Sequence, residues 1–171
     1  DAIRNVLRQY GITDPAREQV ETLYSPSVEE VKSICSQHGI DPDEFWRDRE
    51  KAASQAHQEA ATQGKKQPYP DISSLSELEP VLAVVSNNQQ MTIDYYLDIY
   101  DLRDHFAVAY GRDPTLKGLE RKKPNPYYLK QAVEEIGSDE PVYVGDSNSD
   151  IAAAQALDID SVFLRRAHRS E

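Results

Sequence analysis

The sequence predicts an α/β fold: a parallel sheet core with helices on both faces, plus a small helical subdomain ahead of it. Three observations predict this. From residue 81 onward, short apolar runs alternate with helix-length segments, the pattern of a parallel sheet buried between helices. Before residue 80, apolar residues recur at helical spacing and no strand-like run is evident. Between the two lies Lys65 to Ser76, which holds the turn formers Pro68, Pro70 and Asp71. We therefore expect a helical subdomain over residues 1–68 and an α/β core over 69–171.

The elements follow in order. Ala2, Ile3, Val6 and Leu7 form one helical face that stops at Gly11, and Asp14-Pro15 reads as an N-cap acid with proline at the first helical position. Ser27-Val28-Glu29-Glu30 is a capping box, with Val28, Val31 and Ile34 on one face and Gly39 as the stop. Asp41-Pro42-Asp43-Glu44 opens a helix that carries Phe45 and Trp46 and runs to Gly64. Strands are expected at Val81–Val85, Phe106–Ala109, Val142–Val144 and Ser161–Leu164. Helices are expected over Thr92–Leu102, Asn125–Ile136 (ended by Gly137) and Asp150–Leu157.

Composition narrows the function classes. The chain has 171 residues, 30 acidic and 19 basic, a net charge of −11 and a mean hydropathy of −0.70. That acidity argues against a nucleic-acid backbone as partner, and the self-repulsion must be offset by salt or bound cations. Apolar runs are far shorter than the ~18 residues of a membrane span, so no membrane partner is expected. The single cysteine, Cys35, excludes an internal disulfide framework, reads as a small core residue and fits a reducing cytoplasm. The four histidines stand apart, without zinc-ligand spacing. The mixed acids and bases from Asp43 to Lys51 read as a solvated helix face, and Lys65-Lys66 as a loop surface pair. Tyr95, Tyr96, Tyr100, Tyr127 and Tyr128 read as packing residues. A charged tail spans Arg165 to Glu171. Nothing in the sequence signals an oligomeric state.

Chemistry in an open α/β sheet collects beyond the carboxyl ends of the strands. Three such segments stand out: Ser86-Asn87-Asn88-Gln89 after the first strand, Lys122-Lys123-Pro124-Asn125-Pro126 before the third, and Gly145-Asp146-Ser147-Asn148-Ser149-Asp150 after it. Asp146 and Asp150 describe a magnesium site, since Mg²⁺ keeps several waters and takes its remaining oxygens from substrate phosphate. Asp150 alone reads equally well as a first-turn helix acid. Ser86 offers a hydroxyl, and the N–H groups of Asn87 and Asn88 can face an anion if a helix begins there. Lys123 supplies a point cation. Lys122 is the other candidate, but only Lys123 has its backbone direction restricted by the following proline.

Taken together and in that order, strand-Ser-Asn, Lys-Pro-x-Pro and strand-Gly-Asp-x-x-x-Asp resemble motifs two to four of the haloacid dehalogenase superfamily, in its phosphoglycolate-phosphatase-like branch. The resemblance covers residues 71 to 166, with GDSNSDIAAAQALDID the most specific piece. It implies a Rossmann-like core with a helical cap, and hydrolysis of a small phosphorylated metabolite through an aspartyl-phosphate. In that frame Ser86 binds the transferring phosphoryl group, Asn87 orients substrate and Lys123 stabilises the nucleophile and the charge developing on phosphorus. Asp146 ligates Mg²⁺ directly, and Asp150 stands behind it or completes the coordination. The family's first motif, an apolar strand ending in Asp-x-Asp-Gly-x, is absent. In the family that strand lies between those ending at Ser86 and Val144, so its loss would split the ladder. We expect an upstream piece that carries the nucleophile. The alternatives are a catalytically silent domain that keeps the phosphate and magnesium pockets, and a halide-releasing relative, against which Asp146 and Asp150 argue.

Overall fold

The computed structural model describes residues 2–165. Eight helices and four strands follow one another as α1 (Ala2–Gln9), α2 (Arg17–Thr22), α3 (Val28–His38), α4 (Pro42–Thr62), β1 (Ala83–Gln89), α5 (Gln90–Ile99), β2 (Val108–Arg112), α6 (Leu116–Glu120), α7 (Tyr127–Ile136), β3 (Val142–Gly145), α8 (Asn148–Gln155) and β4 (Asp160–Phe163). Short 3-10 turns cover Pro70–Glu77 and Arg103–His105. The arrangement is α/β, as the sequence predicts. His168 and the charged tail beyond Arg165 lie outside the described residues.

The caps and stops of the first four helices act where the sequence places them, with one exception, while α5 and α8 begin and end earlier than expected and α7 begins at Tyr127. Ser27 Oγ accepts from the Glu30 N–H (3.2 Å), and Glu30 Oε2 accepts from the Ser27 N–H (2.7 Å), so both halves of the capping box form. Asp41 Oδ1 caps α4 by accepting from Asp43 and Glu44. Gly39 and Gly137 end α3 and α7 in the left-handed region, which glycine enters without the Cβ penalty. The exception is α2: it starts two residues beyond Pro15, after Ala16, with no side-chain cap. Asp14-Pro15 forms the approach to that helix, not its first turn.

Strands β1 and β2 sit later than the apolar runs suggest, β3 starts as expected, and β4 begins and ends one residue before the expected Ser161–Leu164. β1 extends through Ser86 and Asn87 to Gln89, while Val81 is exposed; β2 runs to Arg112, not Ala109. Hydrogen-bonded register moves both, because Ala83, Val84 and Val85 pair in parallel with Val108, Ala109 and Tyr110. The ladder carries on to Gln89 opposite Arg112 past an irregularity. β3 and β4 pair in parallel from Val142–Asp160 to Gly145–Phe163. Among the described residues the strands form two separate two-stranded ladders, β1-β2 and β3-β4. Coverage on both faces is therefore incomplete: Val142, Val144, Val162 and Phe163 are exposed.

Two apolar clusters result. One joins Ile3, Leu7, Leu23, Val31, Phe45 and Trp46 of the first four helices and also takes in Leu116 and Leu119 of α6. The other packs Val85 and Val108 against Tyr128, Leu129 and Ala132 of α7 and Ala153 and Ala154 of α8. The tyrosines of α5 face α4 and the turn after it: Tyr95 bonds to Thr62, Tyr96 to His57, and the Tyr100 hydroxyl to the Lys66 carbonyl.

Cys35 is buried in the first cluster, and burial, aided by Asp41, pushes its thiol up from 9.0 to about 11. A folded value above the unfolded one stabilises the folded state fully below pH 9 and loses that contribution as pH rises towards 11. Chemical denaturation from pH 7 to 11 is expected to show stability falling over this window, with a shallower fall in Cys35→Ala. Equal slopes in the two proteins would refute it.

Candidate active site

The carboxyl edges of β1 and β3, the loop before α7 and the first turn of α8 meet around one buried ion pair. Lys123 Nζ stands 2.7 Å from Asp150 Oδ1, and both side chains are at most 9% exposed. The ammonium also lies 2.7 Å from the Tyr143 hydroxyl and 2.8 Å from the Val85 carbonyl oxygen. Its three N–H donors thus have three acceptors. On the other oxygen, Asp150 Oδ2 accepts from Ser147 N (3.0 Å) and Ser147 Oγ (2.6 Å). Burial by itself would raise the Asp150 carboxyl. The hydrogen bonds from Lys123 and Ser147 outweigh it and hold the carboxyl below the usual range. Burial, then the carboxylates of Asp150 and Asp146, pushes the Tyr143 hydroxyl up, so it stays protonated as a donor.

Local sequence explains the convergence. Ser147 begins α8 as its N-cap and Asp150 is the third helical residue, a reciprocal capping box. Asp150 is therefore both a first-turn acid and a member of the ion pair. Gly145 is required by close packing: a Cβ there would sit 2.3 Å from Asp150 Cβ and 2.6 Å from its Cγ. Asn87 grips the main chain of Lys123 from both sides. Its Oδ1 accepts the Lys123 N–H (2.7 Å) and its Nδ2 donates to the Lys123 carbonyl (3.0 Å).

The five residues selected from the sequence thus come together. Ser86, Asn87, Lys123, Asp146 and Asp150 all line one cavity of about 610 Å³ that also touches Val85, Tyr143 and Gly145. Of the two lysines, Lys123 enters this cavity's ion pair, while Lys122 Nζ donates to the Pro26 carbonyl (3.2 Å). The expected backbone cradle for an anion is not open. Asn87 lies within β1, and the Asn88 N–H is donated to Ser86 Oγ at 3.2 Å. Among the described residues, no group of three or more His, Cys, Asp or Glu side chains gathers at metal-ligand distance.

The sequence reading missed a second charged cluster next to the first. Glu50, read as part of a solvated face, is fully buried, and so nearly is Arg49. Glu50 Oε1 pairs with Arg49 Nη1 (2.7 Å), and Oε2 pairs with Arg112 Nη2 across the molecule (2.8 Å). Arg112 Nε in turn donates to the Asn87 carbonyl (3.0 Å). The signal was present: Trp46, Glu50 and Ser54 are four apart, so they share the buried face of α4. Arg112 was overlooked because β2 was ended three residues early.

The family model of haloacid dehalogenase-like hydrolases matches residues 1–164. The chain belongs to this family. It is 37% identical over 101 residues to a phosphoglycolate phosphatase of Neisseria meningitidis serogroup A, a match that covers 56% of this chain and 41% of that protein. The match to the phosphoglycolate phosphatase of Escherichia coli strain K12 is 33% identical over 85 residues, covering 48% of this chain and 32% of that one. The chain thus spans less than half the length of the curated relatives it matches. A HAD-superfamily hydrolase of subfamily IA from Geobacter sulfurreducens has the same fold, with a TM-score of 0.56 at 18% identity over 95% of this chain and 78% of that one.

Because the haloacid dehalogenase-like turn leaves no room for a methyl group at Gly145, Gly145→Ala is expected to destabilise the protein by about 1–3 kcal/mol, the usual effect of overpacking. Urea denaturation checks this. Gly137→Ala supplies the contrast: its Cβ meets nothing within 4 Å, so its effect comes from the left-handed backbone alone. A Gly145→Ala protein of unchanged stability would contradict the packing argument.

Proposed function

We propose that this chain forms the phosphate- and metal-binding part of a Mg²⁺-dependent phosphatase acting on a small phosphate monoester through an aspartyl-phosphate. The nucleophilic aspartate is expected upstream of residue 1, at the end of the strand that the family places beside β1 and β3. The observation that carries the reading is the cavity where Ser86, Lys123, Asp146 and Asp150 converge at the carboxyl edges of the strands. We take residues 1–68 as the cap and 69–171 as the core. The buried, unpaired thiol of Cys35 supports a cytoplasmic setting. No helix among the described residues is long and apolar enough to cross a membrane.

The donor chemistry fits Mg²⁺ in a specific way. Both Asp150 oxygens are already engaged, by Lys123 and Tyr143 on one side and Ser147 on the other. Asp150 is therefore the residue that fixes the loop, and Asp146, on the same turn, is the direct carboxylate ligand. One protein carboxylate with water and substrate oxygens is the ordinary Mg²⁺ environment. The ion, when bound, neutralises phosphoryl charge.

The chain's own residues do the rest. Ser86 Oγ donates to a phosphoryl oxygen once it turns from the Asn88 N–H. Lys123 Nζ donates to a phosphoryl oxygen in place of the Tyr143 hydroxyl, which itself has Val85 O (3.2 Å) and Asp150 Oδ1 (3.3 Å) as acceptors. Asn87 keeps Lys123 in position through its backbone and orients substrate.

Millimolar Mg²⁺ is expected to raise the melting temperature of the protein, and Asp146→Asn to abolish the rise. An equal shift in the mutant would defeat the metal assignment. In the protein that includes the upstream aspartate, phosphate release from p-nitrophenyl phosphate is expected to stop on adding EDTA and to fall at least about a hundredfold in Lys123→Met. Binding of phosphate without any turnover would favour the silent-domain alternative.

A further inference from the structure

Among the described residues that line the site cavity, Lys123 is the one cation, and Asp146 and Asp150 set two carboxylates against it. An anion that enters therefore depends on an N–H of Lys123 turning to meet it. All three are engaged, by Asp150 Oδ1 (2.7 Å), the Val85 carbonyl (2.8 Å) and the Tyr143 hydroxyl (2.7 Å). These acceptors are not alike. Asp150 is fixed by its capping box with Ser147, and releasing it would leave a buried carboxylate without its cation. The Val85 carbonyl belongs to a strand residue held in register with Tyr110. The Tyr143 hydroxyl is the neutral side-chain acceptor of the three, and it holds an ammonium less strongly than a carboxylate does.

Tyr143 can also give up Lys123 without losing its own partners. Its hydroxyl stands 3.2 Å from the Val85 carbonyl and 3.3 Å from Asp150 Oδ1, the same two oxygens that Lys123 holds. A hydroxyl has one proton to donate, and here two acceptors face it. When the ammonium turns away, that proton keeps a partner. The ring is fixed as well: it packs against the second apolar cluster, while Val142 and Val144, on the opposite face of β3, are exposed. The hydroxyl therefore stays where it can take Lys123 back.

We infer that the Tyr143 hydroxyl is a built-in competitor of the phosphoryl group: it holds the third N–H of Lys123, yields it to an entering phosphoryl oxygen and regains it as phosphate leaves. Tyr143 is thus an affinity-setting and positioning residue of the site. It keeps the lysine aimed at the cavity before the ester arrives, and its return opposes the hold on product phosphate. The inference rests on the phosphatase reading for the placement of a phosphoryl group at Lys123.

Calorimetric titration with inorganic phosphate, in the presence of Mg²⁺, tests this on the wild-type chain and on Tyr143→Phe. The variant keeps the ring, whose centre lies 5.4 Å from the Lys123 ammonium, and removes only the hydroxyl. Its affinity for phosphate should rise at least about threefold, because no charge-assisted hydrogen bond has to be given up first. A smaller rise, a fall, or phosphate binding to neither protein overturns the inference. In a Lys123→Met background the same substitution should leave the affinity unchanged, and a gain that survives there overturns it too. Since Lys123→Met strips Asp150 of its cation and can unfold the chain, ¹³Cζ-tyrosine NMR supplies an independent readout. The Tyr143 resonance, identified by its loss in Tyr143→Phe, should shift as phosphate saturates the protein; a resonance that stays in place overturns the exchange of partners. The two readings fail separately. A gain in affinity through Lys123, with no phosphate release from the protein that includes the upstream aspartate, keeps the competitor and overturns the phosphatase reading. Phosphate release with no gain in Tyr143→Phe does the reverse.

Discussion

The Lys123–Asp150 ion pair is the contact on which the rest of the site depends. The β1-β2 and β3-β4 ladders are separate, so side chains have to fix their relation. Lys123 reaches the Val85 carbonyl of β1, the Tyr143 hydroxyl of β3 and the carboxylate of α8 with a single ammonium group. Taking two charges out of water is unfavourable, and removing either partner of such a pair commonly costs about 3–5 kcal/mol because the other is left bare. The pair persists because every polar atom in it is satisfied. Ser147 completes Asp150 and Asn87 completes the Lys123 main chain.

A line of contacts leads outward from that pair. Asn87 links the Lys123 backbone to Arg112, Arg112 links to Glu50, and Glu50 links to Arg49 on the same helix. Strand β2, strand β1 and helix α4 are thus coupled through buried polar groups as well as through apolar packing. The two ends of this line differ in charge. At Lys123 the cation and carboxylate balance, and every donor is used. Around Glu50 two guanidinium groups face one carboxylate, and Trp46 Nε1, Arg49 Nε, Arg112 Nη1 and Glu50 Oε2 have no hydrogen-bond partner.

How much of this was legible in the sequence depends on the length scale of each signal. Caps act within four residues, so Ser27, Asp41, Gly39 and Gly137 could be read directly. Asp14-Pro15 has the same look but lies ahead of α2, because a proline fits an extended approach as well as a first turn. Strand ends are set by pairing, which is non-local. The apolar run Val81–Val85 therefore gave the existence of β1, while its register with β2 moved it to Ala83–Gln89. The site motifs survived this shift because they are defined by sequence order rather than by the exact last strand residue.

The residues that escaped notice share one physical cause. Glu50 and Arg112 are 62 positions apart in the sequence, and each is burdened with a charge that composition assigns to the surface. Only the tertiary fold brings α4 across the end of β2, where each charge finds a partner and leaves water. Tyr143 follows the same logic in reverse. A tyrosine in a strand reads as packing, and its ring does pack, yet its hydroxyl lies within 2.7 Å of Lys123. Polar atoms at the ends of long, largely apolar side chains are where sequence patterning is weakest: the body of the side chain obeys the hydrophobic period while its tip does the chemistry.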